Sequence, residues 1–548
     1  MKNMASKKPI NWFVSQFSLP QQKPNQKDIW IALIIFLVSL AAYVRTLAPD
    51  ILYVDSAEFQ TLAYTLGVTH STGYPTYLFL ARLIGFLPIH NPAWRISLFS
   101  AICAGITVAG VYLLARYFTR NRIGPVLGAM ALAISYTFWS QAIIAEVYTP
   151  GMAFIVVIIL LLFHWQIEPD PRNRALFSAA FLAGIGFGVH ASVWLVALPA
   201  LGLVIWRIWD RHSNLTDWKK TLVYASSGAI LGLMVFLATF FISDQLNSPT
   251  SFIRTSLEPS RIFWDLDLED FNSSVKRLKM TVISEQWGDS LFPGGDFSFF
   301  DEWNIFIDRL TYLEFSSVLI FFAVLGIISM LVRFLPGGIF FSIYFIFSLF
   351  FILNYEVGDK YVFYLSLYIP LSVAIGVGIG IVLEWVQSIL QLLPRRSYQV
   401  LSLFPVLFFV TMILMPTAAS RWQALRDGKA DFVTETYVYP IYDLEEPRFV
   451  GERYLDGADS NAVFLLEWRT LFSTAYIAHV ERKMTDTLFF EAMPYGHDGE
   501  VAATLIAQLM GYLEEGRPVF ADHRYPGLEG NLRVLPVSGN LFKLSLIE

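Results

Sequence analysis

Asp55-Ser56-Ala57-Glu58 sets two carboxylates about one helical turn apart, and His70 follows within Thr69-His70-Ser71-Thr72-Gly73-Tyr74-Pro75. Two carboxylates and an imidazole are the groups that take up and release protons near neutral pH. The same spacing is also a capping box, with Asp55 at the N-cap, Glu58 at the third helical position and a helix over 56–66 closed by Gly67. The two readings are compatible, because a cap that fixes the helix start also holds the carboxylates.

Those groups have to be positioned by a membrane-embedded scaffold. Of the 548 residues, 55% are hydrophobic, 16% aromatic and only 15% charged, whereas soluble globular chains carry about a quarter charged residues. Apolar runs near 29–48, 96–117, 124–143, 147–165, 175–190, 191–206, 221–243, 315–332, 338–354, 361–385 and 399–417 predict a mainly α, polytopic bundle of about eleven transmembrane helices. The first run is too long for a signal h-region and reads as an uncleaved span. The apolar stretch 74–88 is short and suits a half-helix or interfacial helix.

Basic residues fall in alternate loops: the N-terminal lysines, Arg116/Arg120/Arg122, Arg172/Arg174, Arg207/Arg211/Lys219/Lys220, Arg333 and Arg395/Arg396. The positive-inside rule makes that side cytoplasmic. The expected organisation is a cytoplasmic tail over 1–28, a transmembrane module over 29–417 and an external soluble α/β domain over 418–548. Two external loops, 49–95 and 244–314, interrupt the module. In the last domain 462–468 and 518–522 read as buried strands, 485–490 as a weaker third, 470–482 and 500–514 as helices, and 532–546 as a hairpin.

Several classes are disfavoured. A net charge of −6 without a basic tract gives no footing for nucleic acid. Cys103 is the only cysteine, so neither an intrachain disulfide nor a multi-cysteine metal site can form. The glycines of 184–188 and 376–380 lie inside apolar spans, where they let helices approach closely. No Walker motif supports ATP-driven transport. The acidic run 265–270 lacks the remaining ligands of a calcium loop and reads as a solvated face. No cofactor and no metal are expected.

Further polar groups recur at the predicted outer ends of spans: Glu146 and Tyr148, His190, and the segment 354–361 with Lys360. Tyrosines there serve equally as interfacial anchors. Glu146, flanked by Ile143-Ile144-Ala145 and Val147, would cost several kcal/mol facing lipid and should face a wet, protein-lined cavity. An external enzyme needs an activated donor carried by the membrane, because nucleotide-activated substrates are made in the cytoplasm. Polyprenyl-phosphate sugars meet that need, and transfer to a hydroxyl needs one base for its proton.

Asp55-Ser56-Ala57-Glu58 through Leu66-Gly67-Val68-Thr69-His70-Ser71-Thr72-Gly73-Tyr74-Pro75, then Pro92-Ala93-Trp94-Arg95 and Ala145-Glu146-Val147-Tyr148, resemble a family of GT-C glycosyltransferases that includes animal protein O-mannosyltransferases. The resemblance is strong over about the first 210 residues and weaker to 385. It touches the tail at Asn461-Ala462-Val463, Glu467-Trp468 and Gly516-Arg517-Pro518-Val519. The family usually shows His-Pro-Pro-Gly-Tyr-Pro where this chain has His70-Ser71-Thr72-Gly73-Tyr74-Pro75. An acidic residue often follows its Glu-Trp pair, where this chain has Arg469.

The resemblance implies a GT-C-like fold and an inverting glycosyltransferase with a polyprenyl-phosphate-linked sugar as donor. The acceptor would be protein or cell-envelope glycan, with mannose the candidate sugar and protein Ser/Thr the candidate hydroxyl. It makes Asp55 the general base, with Glu58 orienting it or sharing the role, and lines the sugar pocket with His70 and Glu146. Tyr74, Tyr148 and His190 join them as binding candidates. Lys360, Arg254 and Arg261 are the candidate cations for the phosphate, by position. A transporter or flippase of lipid-linked sugars is the rival class, since it would also want wet carboxylates between helices. A glycosidase using Asp55 and Glu58 as its pair is a third.

Overall fold

The computed structural model describes residues 23–168, 172–210, 215–284, 290–292, 298–391, 394, 401–414, 418–429, 444–494, 497, 499–537 and 541–547. Most of the tail over 1–28, Arg395/Arg396 and the turn residues of the terminal hairpin lie outside them. Among the described residues seven helices are long and apolar enough to cross a membrane, and two bent pairs raise that to nine. Two shorter apolar helices, α8 (Arg174–Gly186) and α15 (Leu403–Leu414), stand where the remaining runs are expected.

The chain enters through α1 (Gln26–Arg45), then runs through the short α2 (Val54–Thr65) and α3 (Pro75–Gly85) before the long α4 (Pro92–Ala115). The run at 124–143 is two helices, α5 (Ile123–Ile134) and α6 (Tyr136–Ala142), bent by 68°. Ser135 takes an extended conformation between them, with ψ 150. Helix α7 (Tyr148–Ile167) follows, and α9 (Ala197–Asp210) and α10 (Leu215–Leu246) follow α8. A second bend, of 107°, separates the helical segment Phe299–Glu314 from α12 (Ser317–Arg333); α11 (Phe299–Asp308) opens that segment. Helices α13 (Leu335–Leu353) and α14 (Leu365–Leu390) complete the core of the bundle.

Glycines set the closest crossings. A methyl group on Gly124 of α5 would stand 2.4 Å from the Gly380 backbone of α14, and one on Gly184 of α8 would stand 2.7 Å from the Leu233 backbone of α10. Backbones meet there because no side chain intervenes, as the glycine pattern suggests. In the long loop, Asp267 and Asp270 cap the turn Leu268–Phe271, and Lys276 pairs with Asp270 at 3.1 Å.

The C-terminal part forms a five-stranded sheet of order β2-β1-β3-β5-β4. Strand β1 (Val463–Leu466) runs parallel to β2 (Leu488–Glu491) and β3 (Val519–Ala521), while β4 (Leu532–Pro536) and β5 (Phe542–Leu546) form the antiparallel hairpin. The crossovers carry α17 (Trp468–Ala475) and α18 (Ala503–Glu514), and α16 (Glu446–Leu455) precedes β1. Every strand proposed from the sequence is present, the weaker third included.

This sheet does not hang free of the bundle. Phe59, Leu62 and Tyr77 share one hydrophobic cluster with Phe464, Phe472, Tyr476 and Ile477. The Thr61 hydroxyl donates to the Phe472 carbonyl at 3.0 Å, joining α2 to α17. Arg448 on α16 binds Asp50, ahead of α2, and Glu481 through both of their carboxylate oxygens. Paired bidentate contacts of this kind fix orientation as well as distance.

Candidate active site

Helix α2 starts on a strained residue. Val54, which is β-branched, sits at φ 56, a left-handed conformation that costs a non-glycine residue about 1–2 kcal/mol. Gln60 holds the turn: its Oε1 accepts from the Leu52 N–H at 3.0 Å, and its Nε2 donates to Ala93 O and Ser97 Oγ at 3.3 and 3.2 Å. The capping box expected here is absent. Tyr53 is the N-cap, with no side-chain bond, and Asp55 lies inside the first turn. At the other end Leu66, not Gly67, takes the left-handed cap; a methyl group on Gly67 would meet Leu62 at 2.6 Å and the Ser251 backbone at 3.0 Å.

Both acidic side chains are thereby released from the helix and turned toward other elements. Glu58 is fully buried, receives the His70 backbone N–H at 2.8 Å, and meets the His70 ring at Nδ1 at 2.5 Å. The other ring nitrogen of His70 faces Asp55 Oδ2 at 4.0 Å. Asp55 Oδ1 accepts from the Trp468 indole N–H at 3.0 Å, although 413 residues separate the two in sequence. Its side chain is 35% exposed, so Asp55 is the carboxylate of the pair that reaches solvent.

Burial alone would drive the His70 imidazole down. The carboxylates of Glu58 and Asp55, helped by Glu146, overcome that and push it up to about 10. His70 is thus held toward its imidazolium form between the two acidic groups of α2, while burial raises Glu58 as well, with the His70 charge opposing. Glu146 lies in the turn before α7 and accepts from the Ser56 hydroxyl at 3.3 Å. Burial, and next the Asp55 and Asp359 charges, raise Glu146 well above the ordinary carboxyl range. It faces the protein interior, as its apolar flanks require.

Three of the remaining candidates, Tyr74, Tyr148 and His190, gather beside this cluster. Tyr74 stacks on His190 with an interplanar angle of 4°, and the Tyr148 ring lies 5.1 Å from that of His190. The Tyr148 hydroxyl donates to Asp359 at 3.0 Å. Burial and the Asp55 charge raise Asp359, with the Tyr148 hydrogen bond opposing. Lys360, next in the chain, pairs with Glu302 at 2.8 Å. Arg254 and Arg261 are not brought to this cluster by the contacts they make: Arg254 binds Asn247 and Glu258, and Arg261 the Glu258 carbonyl, all on their own loop. Arg309 places its guanidinium 4.7 Å from the centre of the Tyr361 ring, pairs with Glu314 at 3.4 Å and donates to the Thr137 hydroxyl at 2.7 Å.

Sequence reasoning missed three members. Asp359 was passed over for its neighbour Lys360. Trp468, marked in the sequence only by the resemblance and given no role, and Glu491 lie in the C-terminal domain. Burial pushes Glu491 up to about 8, opposed by its bond to Ser256, and it senses the charges of Glu58, His70 and Asp55. All three parallel strands point their carboxyl ends at the site: β1 runs into Glu467-Trp468, β2 ends at Glu491, and β3 runs into Asp522. The carboxyl edge of a parallel sheet is where α/β folds commonly bind ligands, a signal that stands beside the resemblance at Glu467-Trp468. Among the described residues no three His, Cys, Asp or Glu side chains form a metal-ligand group.

One exposed carboxylate beside an imidazolium, ringed by carboxyls that burial holds toward their protonated form, can accept one proton and donate several hydrogen bonds. Environments that push like groups apart are how acid and base roles become assigned.

The model of the family described as "Protein O-mannosyl-transferase TMEM260 N-terminal domain" matches residues 55–215. "Protein O-mannosyl-transferase tmem260" of Dictyostelium discoideum is 22% identical over 57% of this chain and 38% of its own length. "Protein O-mannosyl-transferase TMEM260" of Mus musculus is 23% identical over 38% of this chain and 30% of its own length. The chain thus spans well under half the length of these curated relatives. Among solved structures, ArnT from Cupriavidus metallidurans bound to undecaprenyl phosphate superposes with TM-score 0.51 at 12% identity, over 94% of this chain and 97% of that one.

Proposed function

We propose that this chain, whose residues 55–215 match the TMEM260 O-mannosyl-transferase N-terminal domain model and whose fold is similar to that of ArnT, is a membrane glycosyltransferase that moves a sugar, mannose in our reading, from a polyprenyl phosphate to an external hydroxyl such as a protein Ser or Thr. The observation that carries the reading is Asp55: a solvent-reaching carboxylate placed by a strained turn, an indole N–H and the partly buried ring of His70. The acceptor oxygen attacks the anomeric carbon, the bond from that carbon to the phosphate oxygen breaks, and the acceptor proton passes to Asp55. The polyprenyl phosphate departs with the bonding electrons. Well-placed bases contribute about a hundredfold or more to such steps.

Tyr74, Glu146, Tyr148, His190 and Asp359 cluster beside His70 and Asp55. Neutral carboxyls and hydroxyls there suit a polyol such as a hexose. Charge building on the departing phosphate calls for a preorganised cation. Lys360, within the 359–361 segment, and Arg309, over the Tyr361 ring, are our assignment, in place of Arg254 and Arg261. In this reading the site faces the extracytoplasmic side and the N-terminus the cytoplasm, which the alternation of basic loops supports.

The test is reconstitution in vesicles whose orientation is read by impermeant labelling of Ile89→Cys, an exposed position in the loop of the site. Donor accessible on the labelled face should yield glycosylated acceptor and free polyprenyl phosphate. Movement of intact donor between leaflets without covalent transfer would identify a flippase instead.

A further inference from the structure

The C-terminal domain reaches Asp55 through Trp468. The Trp468 indole N–H donates to Asp55 Oδ1 at 3.0 Å, and three rings pack against that indole. Its ring packs edge-on against His70, Phe252 and Phe472, with centroids 5.9, 6.0 and 5.1 Å away. Trp468 opens α17, whose N-terminus is anchored by the buried Asp522 at the end of β3. Asp522 Oδ2 accepts from the Glu467 N–H at 3.1 Å and the Thr470 hydroxyl at 3.2 Å, while Oδ1 receives the Tyr525 hydroxyl. The sheet therefore sets the start of α17, α17 sets the indole, and the indole sets one oxygen of Asp55.

We propose that Trp468 is a positioning residue for Asp55, so that the C-terminal domain completes the catalytic centre instead of standing apart from it. This deepens the reading of Asp55 as the base and rests on it. A carboxylate rotates about its last bond unless one oxygen is held. Here Oδ1 is bound by the indole while Oδ2 lies on the His70 side, which leaves a single oxygen with a defined direction for the acceptor proton. A base loses rate steeply when its geometry drifts.

Two substitutions isolate the N–H from the bulk of the ring. Trp468→Phe removes the donor with some packing, and replacing Trp468 by benzothienylalanine puts sulfur in place of N–H and keeps the ring. Both should lower kcat roughly ten- to a hundredfold, the span of one hydrogen bond to a charged group, with KM for the lipid donor unchanged and thermal midpoints near wild type for the isostere. Introduced into Asp55→Asn, either change should add little further loss, because residues acting as one unit are not additive. Near-normal kcat in the isostere would overturn the proposal, as would an equal loss in the Asp55→Asn background. Full activity of Asp55→Asn with wild-type Trp468 would instead remove the reading of Asp55 on which it rests.

Discussion

Asp55→Asn is expected to lose at least about a hundredfold in transfer rate, the lower range for removal of a general base, while the protein still folds and inserts. The amide cannot take the acceptor proton. It can still accept the Trp468 N–H through its oxygen, so the junction between α2 and α17 is preserved. Asp55 caps nothing, so helix α2 loses no cap. Initial rates and thermal midpoints on the same preparation separate the two effects. A variant with near-normal turnover would leave Asp55 without a chemical role and move attention to Glu58.

His70→Ala is expected to be the most destabilising single change at the site, because it strands the Glu58 carboxylate in a fully buried position. Breaking a buried ion pair from one side costs about 3–5 kcal/mol, whereas neutralising both partners costs far less. Glu58→Gln combined with His70→Gln should therefore melt at a higher temperature than His70→Ala alone, yet remain slow, since Asp55 loses the cation facing Oδ2. Folding raises His70 from the usual 6.5 to about 10. Its stabilisation is thus full below about 6.5 and fades as pH climbs through 10. The wild-type midpoint should fall across that window, with a smaller fall in the double variant. A double variant no more stable than His70→Ala would show that the pair is not the source of the stabilisation.

The helical scaffold was legible because hydrophobic length is a direct physical requirement of a bilayer: each expected run corresponds to a long helix, a bent pair or a short apolar helix. The bend at Ser135 was not, since an extended serine between two apolar helices leaves no proline or glycine to mark it. Within the site, the cluster of Asp55, Glu58 and His70 was legible from chain proximity alone. The capping box, one of the two readings of their spacing, does not form, and the left-handed conformation of Val54 behind this has no signature in the residue type. Strands β1 to β3 could be seen one by one. Their joint aim at α2 could not, because it depends on how the sheet docks, which Arg448 and the Phe472–Thr61 contact decide over separations of 398 and 411 residues.

The orientation of Arg254 and Arg261 shows the same limit from the other direction. Both were attractive as external cations, and both are engaged with Glu258 and residues beside it. Chain position gives the side of the membrane, not the partner.

The most direct measurement is the anomeric configuration of the product. A single displacement with Asp55 as base admits attack from one face only, so nuclear magnetic resonance of the glycosylated acceptor should show a configuration opposite to that of the sugar in the polyprenyl-phosphate donor. Retention would contradict the account: it requires a covalent or ion-paired intermediate, and Asp55 would then have to be the nucleophile and not the base.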